Sequence, residues 1–330
     1  MVTVAPAVEQ PAARTLARSG PVRSLRRDAW RRFRRNKLAV VSLAYLVLLI
    51  GVAFAAPAIA PHNPVRSDLR AAGAYRQAAW RSDPNPLKTG DWRYPLGTDS
   101  IGRDVWSRLV YGTRVSLVVG LIPMVVILLI GVPVGLAAGF AGGWTDTLLM
   151  RLTDVVYGFP ALLFFLVMQV SLGDTRLGGW LNGLVLLFVT LSIVSWTGVA
   201  RLVRGVTLEL TQREFVVAAR VSGAGRRRVV ARHVLPNALG TIVVTGAYVV
   251  PGAIAAEIIL SYLGIGVRPD VSLDAPFPTS WGYMILDGYK AWQSQPAMLV
   301  APCVAVALIT LAFTFVGDGL RDALDPRETR

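Results

Sequence analysis

Cysteine, histidine and lysine are almost missing from this chain of 330 residues, and charge of any kind is thin. The single cysteine, Cys303, lies inside an apolar run, which excludes a disulfide framework and a cysteine metal site. Two histidines, His62 and His233, are too few and too far apart for a convincing zinc centre. The three lysines, Lys37, Lys88 and Lys290, follow Asn36, Leu87 and Tyr289, so none completes the G-K-[ST] end of a phosphate-binding loop. Neither G-x-S-x-G nor H-E-x-x-H occurs. Charged residues make up 16% of the chain, where a soluble domain carries about a quarter. An ordinary soluble enzyme is therefore disfavoured, and no cofactor is expected on this chain.

What is abundant is apolar: 54% of residues are hydrophobic and the mean hydropathy is +0.52. The net charge of +14 has two sources. Residues 1–37 hold ten basic and two acidic side chains, and residues 201–233 hold eight and two. Both stretches border long apolar runs, the pattern of membrane topology and not of a nucleic-acid partner. Residues 1–22 read as a disordered cytoplasmic tail. Residues 23–37 place Leu25, Ala29, Trp30 and Phe33 on one face among arginines, which suits a helix in the lipid headgroups or a stop signal that holds the N-terminus inside.

Six uncharged stretches follow: Leu38–Ala60, Val115–Trp144, Val155–Leu172, Leu177–Ala200, Val234–Ala256 and Ala291–Gly317. The first, 23 residues long, reaches about 34 Å as a helix, enough for a hydrocarbon core of ~30 Å. Its charged leader of 37 residues is too long for a cleaved signal peptide. The expected fold is an all-α membrane protein with six spans. A segment of residues 61–114 separates the first span from a core of residues 115–330. With the N-terminus inside, the inner segments carry 22 Lys and Arg and the outer segments 12, so both termini are expected in the cytoplasm. Gly131, Gly135 and Gly139 form a small-residue ridge on the second span, with Pro123 and Pro133 on the same helix.

The connection between spans four and five, residues 201–237, is the informative one. Thr207–Val221 has helical spacing, with Leu208, Phe215, Ala218 and Ala219 able to line one side. Gly223 and Gly225 break it, and a second amphipathic piece, Val229–Val234, leads to Leu235 and Pro236. The result is a protruding knob whose paired alanines allow a close fit in a partner's groove.

This segment resembles the EAA loop of ABC importer permeases, in which E-A-A is followed by three residues, G, nine residues and a hydrophobic-x-L-P ending. Ala218, Ala219, Gly223, Leu235 and Pro236 match, with nine residues from Ala224 to Arg232 between. Val217 stands where the family usually has Glu, and His233 stands at the hydrophobic position. Glu214, one turn earlier, is a candidate for the acidic contact, and Phe215 and Arg220 complete the candidate coupling surface. "LGTDSIGRDVWSRLVYGTRVSLVVG" from Leu96, "EIILSYLGIGVRPD" from Glu257, "SWGYMILDG" from Ser280 and "FVGDGLRDALDPR" from Phe315 are similar to the dipeptide and oligopeptide branch of C type. The insert "DVSLDAPFPT" departs from that branch. In the first of these motifs Asp99, Arg103, Asp104, Arg108 and Arg114 alternate in sign, as a salt-linked collar would.

The resemblance implies type I permease architecture in a bacterial cytoplasmic membrane and peptide import by alternating access. It implies four kinds of partner: a homologous second permease, two cytoplasmic ABC ATPases carrying ATP and Mg²⁺, an extracytoplasmic substrate-binding protein, and membrane lipid. Relatives for nickel, glutathione or another small solute remain alternatives on substrate. An autonomous secondary transporter or channel is the rival of another class, against which the uncharged span cores argue. Asp154 and Glu257, at the ends of spans three and five, are candidates for a gate or pathway, with Arg268 a candidate partner of Glu257.

Overall fold

The computed structural model describes residues 25–270 and 272–324, with side chains from residue 27; the expected 1–22 tail lies outside them. The described residues are mainly helical, joined by turns and by two longer irregular stretches, residues 60–104 and the loop between Tyr262 and Trp281. Five helices are long and apolar enough to cross a membrane, or six if one bent pair counts as a single span.

A short helix, α1 (Leu25–Phe33), precedes α2 (Lys37–Ile59), whose first turn is capped by Asn36 accepting from the Ala39 amide at 3.1 Å. Of the face expected on α1, Phe33 is the buried member, packed with Ala39 and Ala323, while Trp30 stacks on it from outside. Residues 60–104 contain only a single helical turn, α3 (Leu69–Ala72), and then α4 (Val105–Ala141) begins. Asp104 caps α4 by accepting from the amides of Trp106 and Ser107.

The glycine ridge packs inside this chain. α4 lies along α8 (Leu184–Thr211), and a methyl group at Gly135 would stand 2.5 Å from the Ala200 carbonyl oxygen. Gly131 and Gly139 meet the Trp196 and Arg204 carbonyl oxygens in the same way, so the backbones approach as only glycine permits.

Span three is not the single helix expected from Val155. α5 (Gly143–Tyr157) and α6 (Ala161–Leu172) meet at 71° across Gly158, Phe159 and Pro160. Pro160 has no amide hydrogen and pushes its predecessor out of helical space, so the helix stops there. Span four also starts later than expected. After α7 (Arg176–Gly179), Leu181 and Asn182 take φ values of 47° and 57°, which breaks the helix before Leu184.

The remaining elements are α9 (Glu214–Val221), α10 (Arg226–Val229), α11 (Leu235–Tyr262), α12 (Trp281–Ala291) and α13 (Ala297–Leu324). Spans two, four, five and six each overrun their uncharged stretch at one end, where the charged side chains find partners elsewhere in the fold.

The bundle has two distinct ends. At one, Gly319 of α13 touches Ala39 and Phe33, Leu324 faces Gly240 of α11, and Arg204 holds Asp146. The 212–234 connection lies at this end. At the other, residues 61–104 pack on α12 and its flanking loops: Gln77 donates to the Ser294 carbonyl at 2.6 Å, and Gln295 to the Arg76 carbonyl at 2.6 Å.

The collar residues also sit at this second end. Asp99, fully buried, accepts from Arg103 at 2.6 Å and from Arg108 at 2.7 Å, and Arg108 continues to Asp287 of α12 at 2.9 Å. Asp104 turns to Ser107 and His62, and Arg114 donates to the Ala53 carbonyl, so neither belongs to that linked set. Asp287 does, and sequence spacing gave no sign of it.

Candidate functional site

The knob is built at the meeting of α4, α5, α8 and α11. α8 ends at Thr211 instead of running on to Val221, and Gln212 and Arg213 turn the chain into α9. The face expected from Leu208, Phe215, Ala218 and Ala219 is therefore split. Leu208 belongs to α8 and is half-buried, while Phe215 and Ala218 are exposed.

α9 is seated by other residues. Val216 is fully buried with Val229, Val234 and Val203, and Ala219, one turn on, packs against that cluster. Arg220 lies over the Phe140 ring at 4.7 Å, pinning the helix to the end of α4. Seating on Val216 and Ala219 turns Glu214, Val217, Ala218 and Val221 away from the bundle, one turn apart along a single stripe. Val221 is 84% exposed.

The turn that follows explains Gly223. Its φ is +81°, with its amide on the Arg220 carbonyl and the Ala224 amide on the Ala219 carbonyl at 3.1 Å, the paired bonds of a Schellman ending. Gly225 carries no such demand, since it takes φ −64° at the N-cap of α10. Gly223→Ala is expected to cost about 1–2 kcal/mol of local stability. Trypsin cleavage at Arg226–Arg228 should then rise about tenfold, while Gly225→Ser cleaves at the wild-type rate. Equal rates for all three proteins would remove the turn from the account.

The expected second piece begins earlier than Val229. α10 starts at Arg226 and passes through a π turn, Val230–Val234, directly into α11. Pro236 accounts for the widened turn: its ring would clash with the carbonyl four residues back in a regular helix. Leu235 packs on the buried cluster, and Pro236 is exposed at the second position of α11. Arg226, Arg227, Arg228 and Arg232 are all exposed, so the knob's flank is strongly basic.

Two ion pairs brace the base of the knob against α5. Arg204 meets Asp146 with both carboxylate oxygens engaged, at 2.5 and 2.6 Å. Arg201 meets Asp154 at 2.8 Å and lies over the Tyr157 ring at 3.9 Å. Asp154 is thus an exposed ion-pair partner in the last turn of α5, and it does not face Glu257. Sequence reasoning missed Val216, Asp146 and Arg204; the acid and base fall 58 positions apart, beyond any local spacing rule.

Glu257 lies at the other end of α11 and is 1% exposed. Ser261 donates to it at 2.6 Å, and Ser280 is its second hydroxyl partner. Arg268, the expected partner, pairs with Asp174 at 2.8 Å instead. Ser280 also caps α12 by accepting from the Tyr283 amide at 3.0 Å, so Glu257 ties α11 to the start of α12.

Comparison with known proteins places this arrangement among transport components. Residues 131–330 match the family described as binding-protein-dependent transport system inner membrane component. Residues 24–79 match the N-terminal transmembrane domain of oligopeptide transport permease C. The chain is 38% identical over 312 residues to the dipeptide transport system permease protein DppC of Bacillus subtilis, covering 94% of this chain and 88% of that protein. It is 39% identical over 304 residues to the oligopeptide transport system permease protein OppC of Bacillus subtilis, covering 92% and 90%. The glutathione transport system permease protein GsiD of Pectobacterium atrosepticum is 35% identical over 310 residues, covering 94% of each chain.

Proposed function

The chain belongs to the binding-protein-dependent transport system inner membrane component family, and on that premise we propose that it is a transmembrane subunit importing peptides at the expense of ATP hydrolysed elsewhere. Its own residues perform no catalysis. Two cytoplasmic ATPases hold ATP and Mg²⁺, a homologous second permease completes the pathway, and an external binding protein delivers the peptide. The knob end faces the cytoplasm, together with both termini. The excess of Lys and Arg in the segments of that end supports this orientation.

The observation that carries the reading is the outward stripe of α9. A helix held to the bundle by Val216 and Ala219 presents Glu214, Val217, Ala218 and Val221 to a partner, with little side-chain bulk at its centre. Closure of the ATPases moves α9; Arg220 and the buried valines pass the displacement to α4, α8 and α11, which tilt to expose the pathway to the opposite face. Glutathione, itself a small peptide, is a second substrate reading, favoured by the similarity to GsiD.

The deciding experiment is reconstitution of this chain with its second permease, ATPases and binding protein in vesicles. Labelled peptide should accumulate only with ATP, and deletion of residues 213–225 should abolish accumulation. Uptake by the lone chain without ATP would overturn the reading in favour of an autonomous transporter.

A further inference from the structure

A groove of about 650 Å³ opens on the side of the bundle between α2, α4 and α13, toward the end that carries residues 61–104. Its walls are apolar: Tyr45 and Leu49 from α2, Leu109 from α4, and Val300, Val304 and Leu308 from α13. Val300 and Val304 are half exposed, so the groove faces the surroundings of the bundle and not its core. Its wall on α13 runs from Ala297 to Leu308, a rise of about 16 Å, or half of a ~30 Å hydrocarbon core. That is the depth of one leaflet.

The groove is closed at its outer end by polar and aromatic groups. Trp80 and Arg81 stand at the mouth, both exposed, and the Arg81 side chain forms no hydrogen bond or ion pair among the described residues. The acid nearest in sequence, Asp83, is occupied: it accepts from the Asn85 amide at 2.8 Å and faces the Gln77 amide. Gln77 and Gln295 also line the groove, are 6% and 1% exposed, and each keeps a buried amide oxygen with no donor. An apolar trough one leaflet deep thus ends in a free guanidinium, unsatisfied acceptors and an interfacial tryptophan.

We propose that this groove is a phospholipid site, with an acyl chain along α13, the lipid phosphate on Arg81, and headgroup donors turned toward the acceptors of Gln77 and Gln295. Phosphatidylethanolamine supplies all three elements: a chain, a phosphate and an ammonium. The inference rests on the chain lying in a membrane and is independent of what it transports. The occupant is a lipid and not a free anion because the groove's walls offer nothing to phosphate alone. Bound there, the lipid fills the gap between α2 and α13 and steadies the 61–104 segment above it.

The test is native mass spectrometry of the purified full-length chain in detergent, titrated with phosphatidylethanolamine. Wild type should retain one lipid that Arg81→Gln loses about tenfold more readily, the effect of removing a charged hydrogen bond. Ala301→Trp, which fills the groove, should lose it altogether, with Ala305→Phe as the second filling variant should the first not fold. Arg66→Gln, an exposed arginine at the same end outside the groove, should behave as wild type. Inorganic phosphate should not displace the lipid. Equal retention by wild type and the filling variants overturns the proposal, as does equal loss in Arg66→Gln and Arg81→Gln. Displacement by phosphate also overturns it, making the site one for free anions. Failure of ATP-driven uptake in the reconstituted importer leaves these readings untouched, so the two proposals fall separately.

Discussion

Ala218→Arg is expected to lower ATP-driven uptake by about 100-fold while leaving the chain folded in the membrane. Ala218 sits at the middle of the outward stripe of α9, between Glu214 and Val221, and contributes nothing to the buried cluster that seats the helix. An arginine there has open space in the isolated chain and costs its fold little. At a close-packed contact with a partner it introduces bulk and an unpaired charge, a penalty of about 3 kcal/mol. At 1.4 kcal/mol per factor of ten, that weakens docking about 100-fold. The measurement is paired: peptide uptake by the reconstituted importer, and the melting curve of the variant in detergent.

Val216→Asp serves as the contrast, because Val216 is fully buried and the change should lower both uptake and melting temperature. Arg226→Ala, on the solvated basic flank, should change neither. Uptake by Ala218→Arg at the wild-type rate would show that α9 does not dock. The stripe also bears on Val217, which stands where the family usually has glutamate. Val217 faces outward, and Glu214 lies one turn away on the same stripe, so an acidic contact is available at a shifted position.

Much of this architecture is written in the sequence, and the parts that are not have a common cause. The apolar runs mark the middles of the spans because a hydrocarbon core tolerates little else. They mark the ends poorly. α4 begins ten residues before the uncharged stretch because Arg108 and Arg114 are accommodated within the helix, one by Asp99 and Asp287 and the other by the Ala53 carbonyl. α8 runs on to Thr211 because Arg201 and Arg204 are neutralised by Asp154 and Asp146. Hydropathy counts a charge without seeing its partner, and these partners lie outside the helix that carries the charge. The break at Pro160 was legible, since Gly-Phe-Pro is a stop signal, but the uncharged stretch from Val155 to Leu172 runs straight across it and masks it. In the knob, the glycine turn followed from the sequence, whereas the seating residue did not. Val216 and Val217 are identical in composition, and only the geometry of α9 against α4 and α11 decides which one is buried.

Arg108→Leu should be the most damaging single change outside the knob, costing about 3–5 kcal/mol of stability. Arg108 is 1% exposed and bridges two carboxylates from different parts of the chain, Asp99 at 2.7 Å and Asp287 at 2.9 Å. Together with Arg103, which reaches Asp99 at 2.6 Å, the set carries two positive and two negative charges and is neutral as a whole. Removing Arg108 leaves Asp99, which is fully buried, sharing one guanidinium with Asp287. The uncompensated carboxylate either stays charged in a poor solvent or takes up a proton and loses its bonds, and both outcomes are costly. Arg108→Lys should rescue little, because one ammonium on a flexible stem cannot span both carboxylates as the planar fork does. Asp287→Asn should be milder, since Asp287 is partly exposed to water and keeps one acceptor oxygen. The readout is the fraction of monodisperse protein recovered in detergent and its thermal unfolding. The expected order of loss is Arg108→Leu, then Arg108→Lys, then Asp287→Asn. The double variant Asp99→Asn with Arg108→Leu should recover part of the loss of Arg108→Leu, because the charge left behind is the source of the penalty. No recovery in that variant would mean the side chain acts by filling space and not by balancing charge. The same network clamps α12 to the start of α4, so its failure should also release the 61–104 segment to proteolysis at that end of the molecule.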